Sequence, residues 1–184
     1  MTLVFEVDPP LTEQLRAEII ACWTDVSNAG GAVGFVPPVT MDEVEPTARA
    51  QFAGVLEGRD RLIVGRETRG GQPGRLAALA FLVSNSFALT MHWNTVKRVM
   101  VHPDFQGTGH GYRLMAEIAA VAREAGLEQL HLDCRGGTGN DLFYKKCGYE
   151  EIGRIRKALK LPGRTADSPG ASPYRDLVLM VQEL

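Results

Sequence analysis

Apolar side chains recur along the chain with two periods, one of two residues and one of three to four residues. The alternation in Thr2–Val7 predicts a first strand, which Pro9-Pro10 ends. Apolar positions at helical spacing then predict a helix over residues 11–26. A second helix is expected over residues 40–56, because its first residues have the spacing of a capping box and Gly58 follows its end.

The middle and the end of the chain alternate between strand patterns and turn residues. Two strand-like runs, residues 61–66 and 76–83, are joined across a glycine-rich turn at 68–74, so we expect a hairpin. Residues 163–173 form the longest segment of low complexity, and residues 174–181 alternate as a last strand. No internal repeat divides the chain, and its 184 residues match the size of one domain. The patterns therefore predict a single α/β domain over residues 1–184.

The composition argues against several classes of protein. Lys and Arg total 20 against 22 Asp and Glu, which leaves no basic field for nucleic acid or anionic lipid. Cys22, Cys134 and Cys147 are odd in number and widely spaced, as expected of reduced, packed thiols. No apolar run reaches the ~18 residues of a membrane span, and acidic residues and prolines interrupt the N-terminus where a secretory signal would be apolar. We therefore expect a cytoplasmic protein without a metal site and without a nucleic-acid or membrane partner.

The most informative stretch is residues 96–125. A short β-branched run predicts a strand that ends at His102-Pro103, because proline has no N–H to donate to a neighbouring strand. Apolar residues at helical spacing then predict a helix that ends at Gly126. Between strand and helix lies the glycine loop, residues 106–111, with the sequence Gln-Gly-Thr-Gly-His-Gly. Its three glycines remove Cβ atoms, and the helix start presents unpaired N–H groups and a positive dipole end. The loop therefore predicts a pyrophosphate site.

Two other phosphate-binding loops share part of this pattern. A nucleotide-hydrolase loop requires Lys-Ser or Lys-Thr after its last glycine, but Tyr112-Arg113 stands there, which excludes it. A dinucleotide fingerprint fits Gly107, Gly109 and the later Asp133. Its third glycine would fall at position 112, however, and residues 134–184 are too few for the further βα units, so it fits poorly.

The pattern Gln-x-x-Gly-x-Gly at a strand-to-helix turn resembles the acetyl-CoA loop of the GCN5-related N-acetyltransferase (GNAT) superfamily. A second segment, residues 141–153, resembles another signature of that superfamily, Phe-Tyr-x-x-x-Gly followed by Phe or Tyr. The resemblance covers roughly residues 60–156. It implies an α/β fold with a mixed, mostly antiparallel central sheet flanked by helices, acetyl-CoA as the cosubstrate, and N-acetyl transfer.

The resemblance also implies a set of cofactor-binding residues. By match of position, the backbones of Met100 and Val101 hold the pantetheine arm, and the Val101 N–H is a candidate oxyanion donor. A continuous strand ladder is the alternative for both. His110 departs from the usual aliphatic residue; its side chain could touch phosphate, but the expectation is that it covers the helix start. Asn140 is a further amide within reach of the cofactor. The residues whose main-chain N–H groups would contact pyrophosphate are Gln106, Gly107, Thr108, Gly109, His110, Gly111 and Tyr112.

Tyr144 falls on the tyrosine of the second signature, which makes it the candidate acid for the leaving thiolate. Its ordinary pKa of ~10 still allows donation to a thiolate whose conjugate acid is near ~8.5. Packing in the core beside Phe143 is the alternative. No carboxylate stands on the strand before the glycine loop. His131 and Asp133 share one face of the next strand and could order a water, but a solvated sheet face is the expectation for both. A water-mediated base, or no base, is the expectation.

The expected acceptor is the amine of a small molecule, such as a toxin, an antibiotic or a metabolite. Segment 30–38 is rich in glycine and proline but carries three large apolar residues, so it either packs on the body or lines the acceptor pocket. Three other functions stay open: a non-catalytic acyl-CoA-binding sensor, a protein lysine acetyltransferase and acyl transfer to oxygen. A homodimer also stays open.

Overall fold

Seven strands and four α-helices make up the part of the chain that a computed structural model describes, residues 2–69, 72–162 and 172–184. The strands are β1 (Thr2–Val7), β2 (Arg61–Arg69), β3 (Gln72–Val83), β4 (Trp93–Val101), β5 (Gln129–Arg135), β6 (Glu150–Lys160) and β7 (Tyr174–Glu183). The helices are α1 (Glu13–Asn28), α2 (Met41–Leu56), α3 (His110–Glu124) and α4 (Asn140–Lys146). All seven strands form one sheet in the order β1-β2-β3-β4-β5-β7-β6.

The sheet is antiparallel at every pairing except that of β4 with β5, which is parallel. Trp23 of α1 and Phe52 of α2 share one buried cluster on one face, together with Met100 of β4. Leu114 and Ile118 of α3 lie in the second cluster, on the other face. The predicted fold class, a mixed and mostly antiparallel sheet flanked by helices, is confirmed.

The helix starts follow from local capping. The Thr12 side chain accepts a hydrogen bond from the Leu15 N–H at 3.2 Å and so begins α1. The predicted capping box is present in α2, where the Thr40 N–H donates to the Glu43 carboxylate at 2.8 Å and the Glu43 N–H donates to the Thr40 hydroxyl at 3.4 Å. Gly126, after the end of α3, has a φ of 73°, the left-handed conformation that the sequence predicted for a cap.

The structure corrects the predicted strand boundaries in two places. Strands β2 and β3 extend further than predicted and pair as far as Arg69 opposite Gln72, so the turn predicted over 68–74 is too long. Cross-strand pairing outweighs the local turn preference of glycine and proline there. Strand β6 was not predicted, because it lies at the edge of the sheet and most of its residues are exposed, which leaves little apolar alternation. Residues 163–171 of the low-complexity segment lie outside the described residues.

The described ranges contain neither a membrane-spanning helix nor a group of metal ligands. No helix there has both the length and the apolar character needed to cross a membrane. Within the same ranges, no three or more His, Cys, Asp or Glu side chains are grouped so that they could hold a metal ion. The three cysteines are free thiols, and burial raises the pKa of Cys22 to about 12 and that of Cys134 to about 11.

Candidate active site

Strands β4 and β5 separate part-way along their length. Their registered pairs end at Thr95 opposite His131, and no later pair joins them in the described part of the chain. Strand β5 stays paired with β7 as far as Arg135, and β4 stays paired with β3 as far as Val101. A gap therefore opens within the sheet, and the backbone polar groups along its edges need other partners.

A bulge in β4 decides which backbone groups face this gap. Between Lys97 and Met100, two residues of β4 stand opposite one residue of β3, and Arg98 takes a left-handed φ of 55° there. Beyond the bulge, the His102 N–H donates to the Ala77 carbonyl of the neighbouring strand β3 at 2.8 Å. Successive residues of a strand direct their N–H and C=O groups to opposite edges, so Val101 faces the gap and Met100 faces β3.

A cavity of about 910 Å³ runs along the gap, a size that suits a large ligand. Its wall is formed by the glycine loop, β4, β5, α4 and the segment between α1 and α2. Two of the predicted residues, Met100 and Thr108, do not line the cavity. Met100 is buried in the core, and the Thr108 hydroxyl donates to the Phe105 carbonyl at 2.6 Å. The sequence-predicted residues that line the cavity are Val101, Gln106, Gly107, Gly109, His110, Gly111, Tyr112, Asn140 and Tyr144.

Two glycines of the loop are required by backbone conformation and the third by packing. Gly107 and Gly109 have left-handed φ values of 74° and 82°, and a Cβ at either position would meet no atom within 4 Å. A Cβ at Gly111 would lie 3.1 Å from the Phe143 ring, so this glycine lets α3 and α4 approach each other. Residues 110–112 are the first of α3, and their amides have no partner within the helix, as at any helix start.

Two side chains brace the loop. Gln106 Nε2 donates to the Val101 carbonyl at 2.9 Å and ties the loop to the end of β4. His110 is 4% exposed beside the Phe105 ring, and its buried Nδ1 has no hydrogen-bond partner among the described residues. Burial lowers the pKa of His110, and the charge of Arg113 lowers it further, so the imidazole is neutral at neutral pH. This placement agrees with the expectation that His110 covers the helix start.

Tyr144 lies in the cavity wall on α4. Its ring packs edge-on against Phe143 and Tyr149, with centroids 5.1 and 5.9 Å apart. Its hydroxyl forms no hydrogen bond with any described residue. Burial raises the pKa of Tyr144 well above 10, and the neighbouring Cys134 and Cys147 raise it further. The phenol therefore keeps its proton at neutral pH.

The segment between α1 and α2, residues 29–40, both packs on the body and lines the cavity. The Trp23 indole N–H donates to the Val33 carbonyl at 2.9 Å, and Phe35 packs edge-on against the Trp23 ring. Val36 and most of the residues before Phe35 face the cavity, whereas Phe35 itself does not line it. The sequence left two roles open for this segment, packing on the body and lining the cavity. Neighbouring residues of the segment take both roles.

The two polar residues of β5 have different surroundings. His131 stacks on Trp93 with ring centroids 3.9 Å apart and does not line the cavity. Asp133 is exposed and lines the cavity. Asp133 is therefore exposed, as expected, and lies where it could order a water, whereas His131 is half-buried in a ring stack away from the cavity.

Residues 58–151 match the family model described as the acetyltransferase (GNAT) domain. The chain belongs to the GNAT acetyltransferase family. This finding confirms the resemblance drawn from the glycine loop and the segment around Tyr144. A comparison with curated proteins gives no match.

Solved structures share the GNAT fold over the whole chain. A ribosomal-protein-alanine N-acetyltransferase from Brucella melitensis is 20% identical, with 100% of each chain covered and a TM-score of 0.72. A protein from Salmonella typhimurium, described as an acetyltransferase and solved with acetyl-CoA as its cofactor, is 18% identical, with 100% of this chain and 95% of that chain covered and a TM-score of 0.72. A spermidine N-acetyltransferase chimera with Vibrio cholerae sequence is 16% identical, with 100% and 96% covered and a TM-score of 0.72. The names of these proteins point to an alanine of a ribosomal protein in one case and to spermidine in another, so the acceptor of this chain must be inferred from its cavity.

Sequence reasoning missed two cavity residues, Arg98 and Arg135. Both are charged residues, but β4 also carries Lys97 and β5 also carries His131 and Asp133, so no local pattern singled the two arginines out. Their common position depends on the bulge in β4 and on the pairing of β5, and neither can be read from a local pattern.

Proposed function

We propose that this GNAT domain transfers an acetyl group from acetyl-CoA to the amine of a small molecule by direct attack. One observation carries the proposal: a single cavity joins the glycine loop to the segment between α1 and α2, with Val101 and Tyr144 in the wall between them. A cosubstrate held at one end and an amine held at the other would meet along the β4–β5 gap.

The binding roles follow from the directions of the backbone groups. The Gln106 N–H donates to the Pro103 carbonyl at 3.2 Å, which leaves the amides of Gly107 and of residues 109–112, all in the cavity wall, to bind the diphosphate. The Val101 backbone bonds the pantetheine arm, with its N–H toward the thioester oxygen. Met100 supports the strand from the β3 side, and Thr108 closes the turn of the loop. Asn140, at the start of α4, completes this part of the wall.

The chemistry needs one proton donor and a route for one proton to leave. The amine nitrogen attacks the thioester carbonyl carbon, and the carbon–sulfur bond breaks to release coenzyme A as a thiolate. Tyr144, protonated because of its raised pKa, gives its proton to that thiolate. The proton lost by the amine passes to water, and water returns a proton to the Tyr144 phenolate, so the enzyme regains its starting state. Asp133 is the one carboxylate among the described cavity-lining residues that could order this water.

Thiol release from acetyl-CoA tests the proposal. The purified protein is incubated with acetyl-CoA and a panel of amino acids, polyamines, amine antibiotics, alcohols and a lysine-containing peptide, and products are identified by mass spectrometry. We expect acetylated nitrogen on at least one small molecule. Coenzyme A binding without thiol release from any acceptor would indicate a sensor, acetylation of the peptide alone would indicate a protein lysine acetyltransferase, and an ester product would indicate transfer to oxygen.

A further inference from the structure

Two arginines in the cavity wall have no carboxylate partner among the described residues. Arg98 of β4 and Arg135 of β5 both line the cavity. No carboxylate oxygen of the described residues lies within 4.0 Å of either guanidinium. The Nε atom of each is buried and has no hydrogen-bond partner in the same set of residues. A partly buried cation in this state is costly unless a ligand or water supplies acceptors.

Arg98 is held in place without using its hydrogen-bond donors. The bulge directs it to the face of the sheet that α1 covers, where its guanidinium lies 5.1 Å from the centre of the Trp23 ring. A Cβ on Gly34 would lie 2.9 Å from its Nη1, so this glycine makes room for the group. Stacking uses the flat face of a guanidinium and leaves the N–H groups at its edge free, and the Arg98 side chain forms no hydrogen bond with any described residue.

Arg135 reaches the same end of the cavity from the other side of the gap. Its Nη2 donates one long hydrogen bond, 3.4 Å, to the Phe35 carbonyl. Arg98 lies against Gly34, the residue before Phe35. Both guanidiniums therefore lie against adjacent residues of one segment, and the sheet places them as a pair.

The charge balance of the described cavity wall is positive. The charged side chains of the described cavity wall are Lys97, Arg98, Arg135 and a single carboxylate, Asp133. Burial lowers the pKa of Arg98, and the nearby Asp133 acts against that shift. Burial lowers the pKa of Arg135 as well, and the positive Arg175 nearby adds to that shift. One carboxylate cannot neutralise three cations, so an anion is favoured here.

We propose that the acceptor carries an oxyanion, a carboxylate or a phosphoryl-type group, and that Arg98 and Arg135 bind it. This inference rests on the proposed function and specifies its substrate class: an anionic amine, as in an amino acid. Guanidinium edges match the oxygens of such groups in two-point contacts. The diphosphate of the cosubstrate is not the partner, because the glycine loop leads into α3 on the opposite face of the sheet from Arg98.

Matched acceptors and matched variants test the inference. Each common amino acid is compared as an acetyl acceptor with its amide, which keeps the amine but lacks the anion, and with its aminophosphonate, which keeps an oxyanion. The variants are Arg98→Gln, Arg98→Lys and Arg135→Gln, with Arg123→Gln, an exposed residue at the end of α3, as control. We expect the acids or phosphonates to have kcat/KM values at least ~10²-fold above those of the amides, and each glutamine variant to remove most of that ratio. Arg98→Lys should restore part of it, and Arg123→Gln should leave it unchanged.

The outcomes separate this inference from the proposed function. If amides or polyamines are acetylated and acids are not, or if the acid-to-amide ratio survives both glutamine variants, the inference is wrong and the acetyltransferase function stands. A merely structural role of either arginine would lower both rates equally and leave the ratio intact. If no amine is acetylated, the proposed function fails. In that case, calorimetric titration of the coenzyme A complex with the same acids and amides tests the inference by itself. Equal affinity for acids and amides, or an affinity for acids that the arginine variants do not change, overturns the inference.

Discussion

Replacing Tyr144 by Phe tests the chemistry most directly, because it removes one oxygen atom and leaves the packing in place. The ring contacts with Phe143 and Tyr149 survive, and the lost hydroxyl forms no hydrogen bond with a described residue. We therefore expect the free energy of unfolding to change by less than about 1 kcal/mol. The KM for acetyl-CoA should stay within a few-fold, because the diphosphate contacts lie on the glycine loop.

The rate should respond much more strongly than the stability. Loss of a general acid slows the chemical step by ~10²-fold, or about 2.7 kcal/mol of transition-state stabilisation. The moderately basic thiolate can still leave without the donor, so the reaction should continue at the reduced rate. Because burial raises the pKa of Tyr144 above 10, its ionisation should cause no loss of kcat in the wild type below about pH 10.

Single-turnover kinetics give the decisive measurement, since they report the chemical step without product release. Tyr174→Phe is the control, because this tyrosine lies on β7 and does not line the cavity. An unchanged chemical step in Tyr144→Phe would show that Tyr144 is only a packing residue. A ~10²-fold loss in the control as well would point to a general effect of tyrosine loss on the fold.

Three further predictions follow from the glycines and from the buried thiol. Gly109→Val and its control Gly126→Val each place a side chain on left-handed backbone, at the start and after the end of α3, so both variants should lose ~1–2 kcal/mol of stability. Only Gly109→Val should also bind coenzyme A more weakly, as measured by calorimetry. Gly34→Ala should displace the Arg98 guanidinium and raise the KM of the acceptor without changing that of acetyl-CoA. Burial raises the pKa of the Cys134 thiol to about 11 in the folded protein. The stability that the buried neutral thiol contributes is therefore complete below the thiol pKa of the unfolded chain and is lost as the pH rises through the pKa of the folded protein. Urea unfolding should show a steeper loss of stability at alkaline pH for wild type than for Cys134→Ala.

The sequence was sufficient for the elements that depend on local signals. The capping box at Thr40 and the left-handed cap at Gly126 are set by contacts within a few residues, and both are present as predicted. The glycine loop was recognisable for the same reason, because its pattern lies within one strand-to-helix turn. The family assignment rests on this loop and on the segment around Tyr144, two local patterns in the right order.

Tertiary structure decided what the local patterns could not. The strand patterns carry no sign that β4 leaves β5 after Thr95, because that divergence depends on the bulge and on the pairing of β5 with β7. The same divergence turns Val101, and not Met100, toward the cavity. It also brings Arg98 and Arg135 to one segment although 36 positions separate them in the sequence. Their proximity is a property of strand register, and register is set by long-range pairing that no short stretch of sequence contains.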